Sequence, residues 1–201
     1  MNSLAAQSIG RIVSLPASGY STGNSQITSV HKLAVCYHTQ KNYEQAERLY
    51  LKALSALRNS VGQTAPEFGQ VLNNLARLYH TLGRHEEAEP LYKQSLAVAE
   101  RHYGEYNPKV ARRLANLAEL YCAMGRHEES IVHYQRAIAI VEREFGPTHP
   151  TTVKTLRAFA AMLKTMNRTA DGQAIEKRLG CPENLIEDAH QKKSEVLEAS
   201  L

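Results

Sequence analysis

The chain has 201 residues, of which 43% are hydrophobic and only 6% aromatic, and a net charge of +4 at neutral pH. It is long enough to bury a core of small and aliphatic side chains, but it contains no run of 18 apolar residues of the kind that crosses a bilayer. A charge this small, with no aromatic platform among the basic residues, argues against a nucleic-acid partner, and three cysteines without metal-ligand spacing point to a reduced, cytoplasmic setting.

Residues 1–25 are rich in Ser, Gly and Asn and carry a single charge, Arg11; the first acidic residue of the chain is Glu44. With no clear apolar core segment or cleavage site, this stretch is expected to form a weak helix around Leu4 to Leu15 and then a flexible segment. From residue 26 onward the chain repeats itself every 42 residues without insertion or deletion. Leu33-Ala34-Val35-Cys36-Tyr37 recurs as Leu75-Ala76-Arg77-Leu78-Tyr79 and Leu117-Ala118-Glu119-Leu120-Tyr121, then fades into Phe159-Ala160-Ala161-Met162-Leu163. Gly62, Gly104 and Gly146 share one phase of the repeat, and Pro66, Pro108 and Pro150 share another. A fixed period of this length marks stacked supersecondary units, none of which buries its apolar face without a neighbour.

The unit at 66–104 is the clearest. Pro66 suits the first turn of a helix, where its missing N–H would be unpaired anyway, and Glu67 lies at the positive end of the dipole. Val71, Leu72, Leu75, Leu78, Tyr79 and Leu82 then follow helical spacing until Gly83. A second helix carries Ala88, Leu91, Tyr92, Leu96, Val98 and Ala99 on one stripe and ends at Gly104. Each helix is about 16 residues, or about 25 Å. No segment alternates with the period of a strand, so the fold is all-α, in units 26–62, 66–104, 108–146 and 150–180. After them, Pro182-Glu183 opens a charged helix with Leu185, Ile186, Ala189, Val196 and Leu197 on one side, and 181–201 is expected to cap the stack.

A small residue after Leu, Tyr three positions on, Gly at the turn and Ala in the second helix together resemble the tetratricopeptide repeat. The 42-residue period, Leu-Gly-Arg-His-Glu-Glu-Ala-Glu-Pro-Leu-Tyr at 82–92 and Phe-Gly-Pro-Thr-His-Pro at 145–150 are similar to the kinesin-light-chain type. Unit one departs from the pattern with Asn24 for the opening proline, and unit four with Asn167 for the turn glycine and Gly172 where Ser130 and Ala88 stand.

The resemblance implies a right-handed superhelical solenoid whose first helices line a concave groove. The lining would be Thr28, His31 and His38; Gln70, Asn73, Asn74, Arg77 and His80; Arg112, Asn116 and Glu119; and Lys154, Arg157 and Lys164. Of these, Asn73, Asn74, Arg77, His80, Arg112, Asn116, Glu119, Lys154 and Arg157 form the expected peptide-binding set. Asn74 and Asn116 share a phase, and an amide there can donate to and accept from a peptide main chain. The positive charges that outnumber Glu119 favour an acidic, extended segment of a protein partner. Self-association into a homo-oligomer through the terminal units is the alternative.

Catalysis is not expected. His127, Glu128 and His133 fail the zinc-helix spacing, because the second histidine lies six residues beyond the first rather than four. His85 and His127 occupy one repeat position, expected to pack between the two helices of a unit. Glu86-Glu87 and Glu128-Glu129 open second helices, where carboxylates favour the dipole. No phosphate loop, Cys-x-x-Cys pair or nucleophile elbow is present, so no cofactor and no metal are expected.

Overall fold

A computed structural model describes residues 20–60 and 62–180, and the expected N-terminal helix at Leu4 to Leu15 and the cap at 181–201 lie outside these residues. Eight helices and no strand occur among the described residues: α1 Tyr20–Thr39, α2 Tyr43–Ser60, α3 Pro66–Thr81, α4 His85–Tyr103, α5 Pro108–Ala123, α6 His127–Phe145, α7 Pro150–Thr165 and α8 Thr169–Gly180. Successive helices pair as α1 with α2, α3 with α4, α5 with α6 and α7 with α8, and each pair packs on the next to make a solenoid.

The helix starts follow the repeat phase. Pro66, Pro108 and Pro150 stand in the first turns of α3, α5 and α7, and Asn107 and His149 accept from the main-chain N–H of Lys109 and Thr151. In unit one no proline fixes the start at Asn24, and α1 begins earlier, at Tyr20, inside the segment expected to be flexible.

All four turns within units close the same way. Asn42, Arg84, Arg126 and Arg168 donate their main-chain N–H to the carbonyls of Tyr37, Tyr79, Tyr121 and Leu163, five residues back. This closure needs a left-handed residue just before the donor. Gly83 and Gly125 take it at φ 74°, whereas Lys41 and Asn167 are forced to φ 60° at the equivalent places. Gly, with no Cβ, meets no steric cost there; Lys does.

The core forms where paired helices approach most closely. Ala34, Ala76, Ala118 and Ala160 are all fully buried, one per unit; Ser130 donates to the Ala118 carbonyl, and Gly172 lies against that of Ala160. A Cβ on Gly172 would lie 2.7 Å from the Ala160 carbonyl oxygen, which explains why the last unit departs from Ala or Ser at this position. Around these contacts Leu75, Leu78, Leu114, Leu117 and Leu120 are buried almost completely. Each such leucine contributes about 1.5–3 kcal/mol by transfer from water.

Candidate peptide-binding groove

The first helices α1, α3, α5 and α7 stand side by side, and their exposed stripe is the expected groove. A cavity of about 650 Å³ lies between α1 and α3, lined by Thr28, His31, Lys32, Gln70 and Asn74 among others. Burial lowers the pKa of His31 and His38, in the second case with help from Arg77, so both rings are neutral at neutral pH.

Tyrosines reach this side from the second helices. Tyr50, Tyr92 and Tyr134 recur at the 42-residue period and are almost fully buried. The Tyr50 hydroxyl lies 3.4 Å from His38 Nδ1, and the Tyr134 hydroxyl donates to Glu119 Oε1 at 3.2 Å. Tyr92 feels both Arg77 and Glu119, and burial pushes the Tyr50 hydroxyl up to about 12 and those of Tyr92 and Tyr134 higher still. Glu119 is raised above the usual carboxylate range by desolvation, with the Tyr134 hydroxyl and Arg77 acting the other way. A row of neutral phenols with Arg77 and Glu119 beside it therefore contributes to the polar lining of the groove. The expected groove set does not include these tyrosines; the signal in the sequence is Tyr, not Phe, at one phase of three successive second helices.

The amides behave differently from the expectation. Asn116 Nδ2 donates to Oδ1 of Asn73 at 2.8 Å, and Asn74 Nδ2 lies 2.8 Å from His31 Nε2. Both bonds join first helices of adjacent units, and Asn73 is 6% exposed. The reason is geometric: residues 43 apart face each other across neighbouring first helices, so an amide at one phase meets the polar group one phase earlier. The ladder stops after unit three, where Ala115 and Ala158 occupy the two phases.

The remaining members of the set divide. His80 packs at the α3–α4 turn with its ring 5.2 Å from that of His85, and Nδ1 of each is buried without a partner. His85 thus takes the packing position expected of it; His127, at the same phase, is exposed. Arg77, Arg112, Lys154 and Arg157 are exposed and enter no ion pair among the described residues, whereas Lys164 is tied to Glu176 on α8. Elsewhere, ion pairs within the chain hold Arg84 to Glu47 and Glu87, Arg126 to Glu89 and Glu129, Lys93 to Glu89, Arg136 to Glu100 and Arg168 to Asp171.

No group of three or more His, Cys, Asp or Glu side chains stands close enough to hold a metal ion among the described residues, and none of their helices is long and apolar enough to cross a membrane. Residues 25–101 and 109–174 match the family description of the tetratricopeptide repeat. The chain belongs to the tetratricopeptide repeat family. The fold recurs in solved structures of low identity. BtubC (BKLC) from P. vanneervenii is 22% identical with a TM-score of 0.74, over 89% of this chain and 70% of that one. A Podosopora anserina protein of nearly identical TPR-like repeats, provisionally assigned as a kinesin light chain, is 19% identical with a TM-score of 0.69, over 95% and 83%. RapI in its apo form is 15% identical with a TM-score of 0.63, over 78% and 42%. No curated protein matches the chain. Tetratricopeptide repeats are general scaffolds for protein interaction, and the repeat fold of this chain is similar to that of the BtubC (BKLC) and Podosopora anserina proteins.

Proposed function

We propose that the protein is an adaptor that holds an extended, acidic peptide segment of a partner protein along α1, α3, α5 and α7. The observation that carries this reading is the gathering of exposed cations on the first helices. Arg77, Arg112, Lys154 and Arg157 stand exposed there and enter no ion pair among the described residues, while Arg84, Arg126 and Arg168 of the turns are held by carboxylates of the chain. Unpaired cations on one face attract a complementary anion and speed its association. Acidic residues of the ligand would lie over units three and four, and the neutral histidine and amide surface of units one and two would take its uncharged part. Asn74 and Asn116 each use one amide hydrogen on the neighbouring helix, and an Asn side chain has further bonding capacity for a peptide main chain. The free thiols of Cys36 and Cys122 support a reducing, cytoplasmic setting.

The test is a titration of acidic peptides against wild type, Arg112→Ala and Asn116→Ala at two salt concentrations, with sedimentation to fix the mass. Arg112→Ala is expected to slow association and flatten the salt dependence, and Asn116→Ala to hasten dissociation. Unchanged binding in both variants, or no binding with a dimeric wild type, would replace the groove reading by self-association.

A further inference from the structure

The opposite side of the solenoid carries a groove that one junction leaves open and the next one fills. Between units one and two, α2 and α4 form the walls and α3 the floor of a groove of about 600 Å³. Leu54, Phe68, Leu72, Leu75 and Tyr79 lie at its base, while Leu51, Pro90 and Leu91 edge it, and Leu51 is 48% exposed. At the junction of units two and three, the equivalents of Leu51, Arg58, Leu91 and Gln94 are Lys93, Glu100, His133 and Arg136. There Arg136 reaches from α6 to Glu100 on α4 at 2.7 Å, His133 stacks on Tyr121 with ring centroids 5.4 Å apart, and Lys93 bonds Glu89. At these positions the second junction carries an ion pair and a stacked ring where the first carries Leu51 and Leu91 beside Arg58 and Gln94.

We infer that this second groove docks one amphipathic helix of a partner protein, independently of the peptide groove on the first helices. Its walls and floor are side chains of three helices whose main chains bond internally. Leu51, Leu54, Phe68, Leu72, Leu75 and Leu91 offer the main chain of an extended ligand no hydrogen-bond partner, whereas a helix satisfies its own. The walls from Leu51 to Arg58 and from Glu87 to Gln94 each cover about two turns, or about 10 Å, which fits apolar anchors at i, i+3 or i+4, and i+7. Charge sets the direction. Glu86 and Glu87 stand at one end, at the start of α4, and Arg58 stands in the last turn of α2 at the other. Glu87 is bonded to Arg84, but no ion pair among the described residues uses Glu86 or Arg58. The positive N-terminal end of the docked helix belongs at Glu86 and its C-terminal end at Arg58, parallel to α4.

The chain supplies its own control for the test. The probe is a stapled helical peptide of about 14 residues, with leucines at the two-turn spacing, a lysine at its N-terminal end and a glutamate at its C-terminal end. Binding is read by NMR shifts and fluorescence anisotropy on wild type, on Leu51→Lys, which copies Lys93, and on Arg58→Glu with Gln94→Arg, which copies the Glu100–Arg136 bridge. All three altered positions are exposed, and circular dichroism checks that the variants fold. Wild type is expected to bind with shifts at Leu54, Phe68 and Leu91. Both variants are expected to lose at least about tenfold in affinity, and a probe with its two charges exchanged to bind several-fold more weakly. Arg112→Ala on the other face is expected to leave the affinity unchanged. Equal binding to Leu51→Lys, shifts confined to α5 and α7, or no binding to wild type would overturn the inference. So would a wild-type dimer that Leu51→Lys converts to monomer, because the occupant would then be a second copy.

Discussion

The junction between units two and three and the junction between units three and four solve one packing problem with different chemistry. In the former, Glu89 receives the Tyr121 hydroxyl at 3.2 Å, Arg126 at 2.8 Å and Lys93 at 2.7 Å, and the Arg126 guanidinium lies 4.1 Å over the Tyr121 ring. The same clasp joins units one and two through Glu47, Tyr79 and Arg84. In unit four, Arg168 and Asp171 persist, but Ile131 and Leu163 replace the carboxylate and the phenol. They join Tyr134, Phe159 and Met162 in a separate apolar cluster. A directional polar clasp fixes register between units, whereas an apolar contact resists pH and salt and fixes register less strictly.

A buried cation marks the clasped side as well. Arg113 is 3% exposed, and its acceptors are neutral: Ser95 Oγ at 2.9 Å and the Lys109 carbonyl at 3.0 Å. At the next junction Thr155 and Ala137 take these two phases. Desolvation, helped by Arg112, lowers the Arg113 pKa.

The largest effect should come from overfilling the helix crossings that both junctions depend on. Ala118→Leu and Ala160→Leu put a large side chain where none has space, at a cost of about 1–3 kcal/mol or more. Ala118→Leu is expected to lower the midpoint of urea unfolding for the whole chain, because Ala118 belongs to the second apolar cluster while Leu117 and Leu120 beside it belong to the first. Ala160→Leu is expected to loosen units three and four first, as hydrogen exchange would show. Wild-type midpoints in both variants would break the close-packing account of these sites.

Acid should separate the junctions next. Glu89 is held down to about 2 from an ordinary 4.5, chiefly by Lys93 and then by Arg126. The ionised form is favoured in the folded chain, so its contribution is full above about pH 4.5 and is lost as pH falls towards 2. For a carboxylate near the surface this amounts to about 1 kcal/mol. Glu89→Gln is expected to remove that loss, seen as a flatter stability profile on acidification, with hydrogen exchange in α7 and α8 unaffected. An unchanged profile would show that the clasp contributes no stability.

Transplanting the clasp is a sharper and smaller test. Ile131→Glu combined with Leu163→Tyr places both missing partners beside Arg168. A double-mutant cycle is expected to give a favourable coupling of about 0.5–1.5 kcal/mol even though each single change destabilises. Zero coupling would mean that the backbone of unit four does not present these positions as the earlier units do. Smallest of all, Lys41→Gly relieves a left-handed residue that unit two already builds from Gly83, and a gain of about 0.5–1 kcal/mol in urea unfolding is expected. A loss would show that the side chain of Lys41 contributes more than its backbone strain costs.

The sequence by itself determined the all-helical repeat, its phase and its punctuation. Pro66, Gly83, Ala76 and Tyr79 act through local conformation and close helix approach, and those requirements are written residue by residue at a fixed period. The family resemblance, carried over position by position, placed Arg77, Arg112, Lys154 and Arg157 on the outer side of the first helices, and all four are exposed there. Only the tertiary structure decided what the polar groups between units do. Asn116 meets Asn73, and Asn74 meets His31, across a spacing of 43 that no single repeat contains. Glu89 is an ordinary carboxylate until Arg126 and Tyr121 of the next unit reach it. Leu51 likewise reads as one more apolar residue of a helix, and its exposure follows from what unit two fails to place above it. Local sequence sets the shape of each unit, while hydrogen bonds and clefts between units depend on the distance and angle at which two units meet.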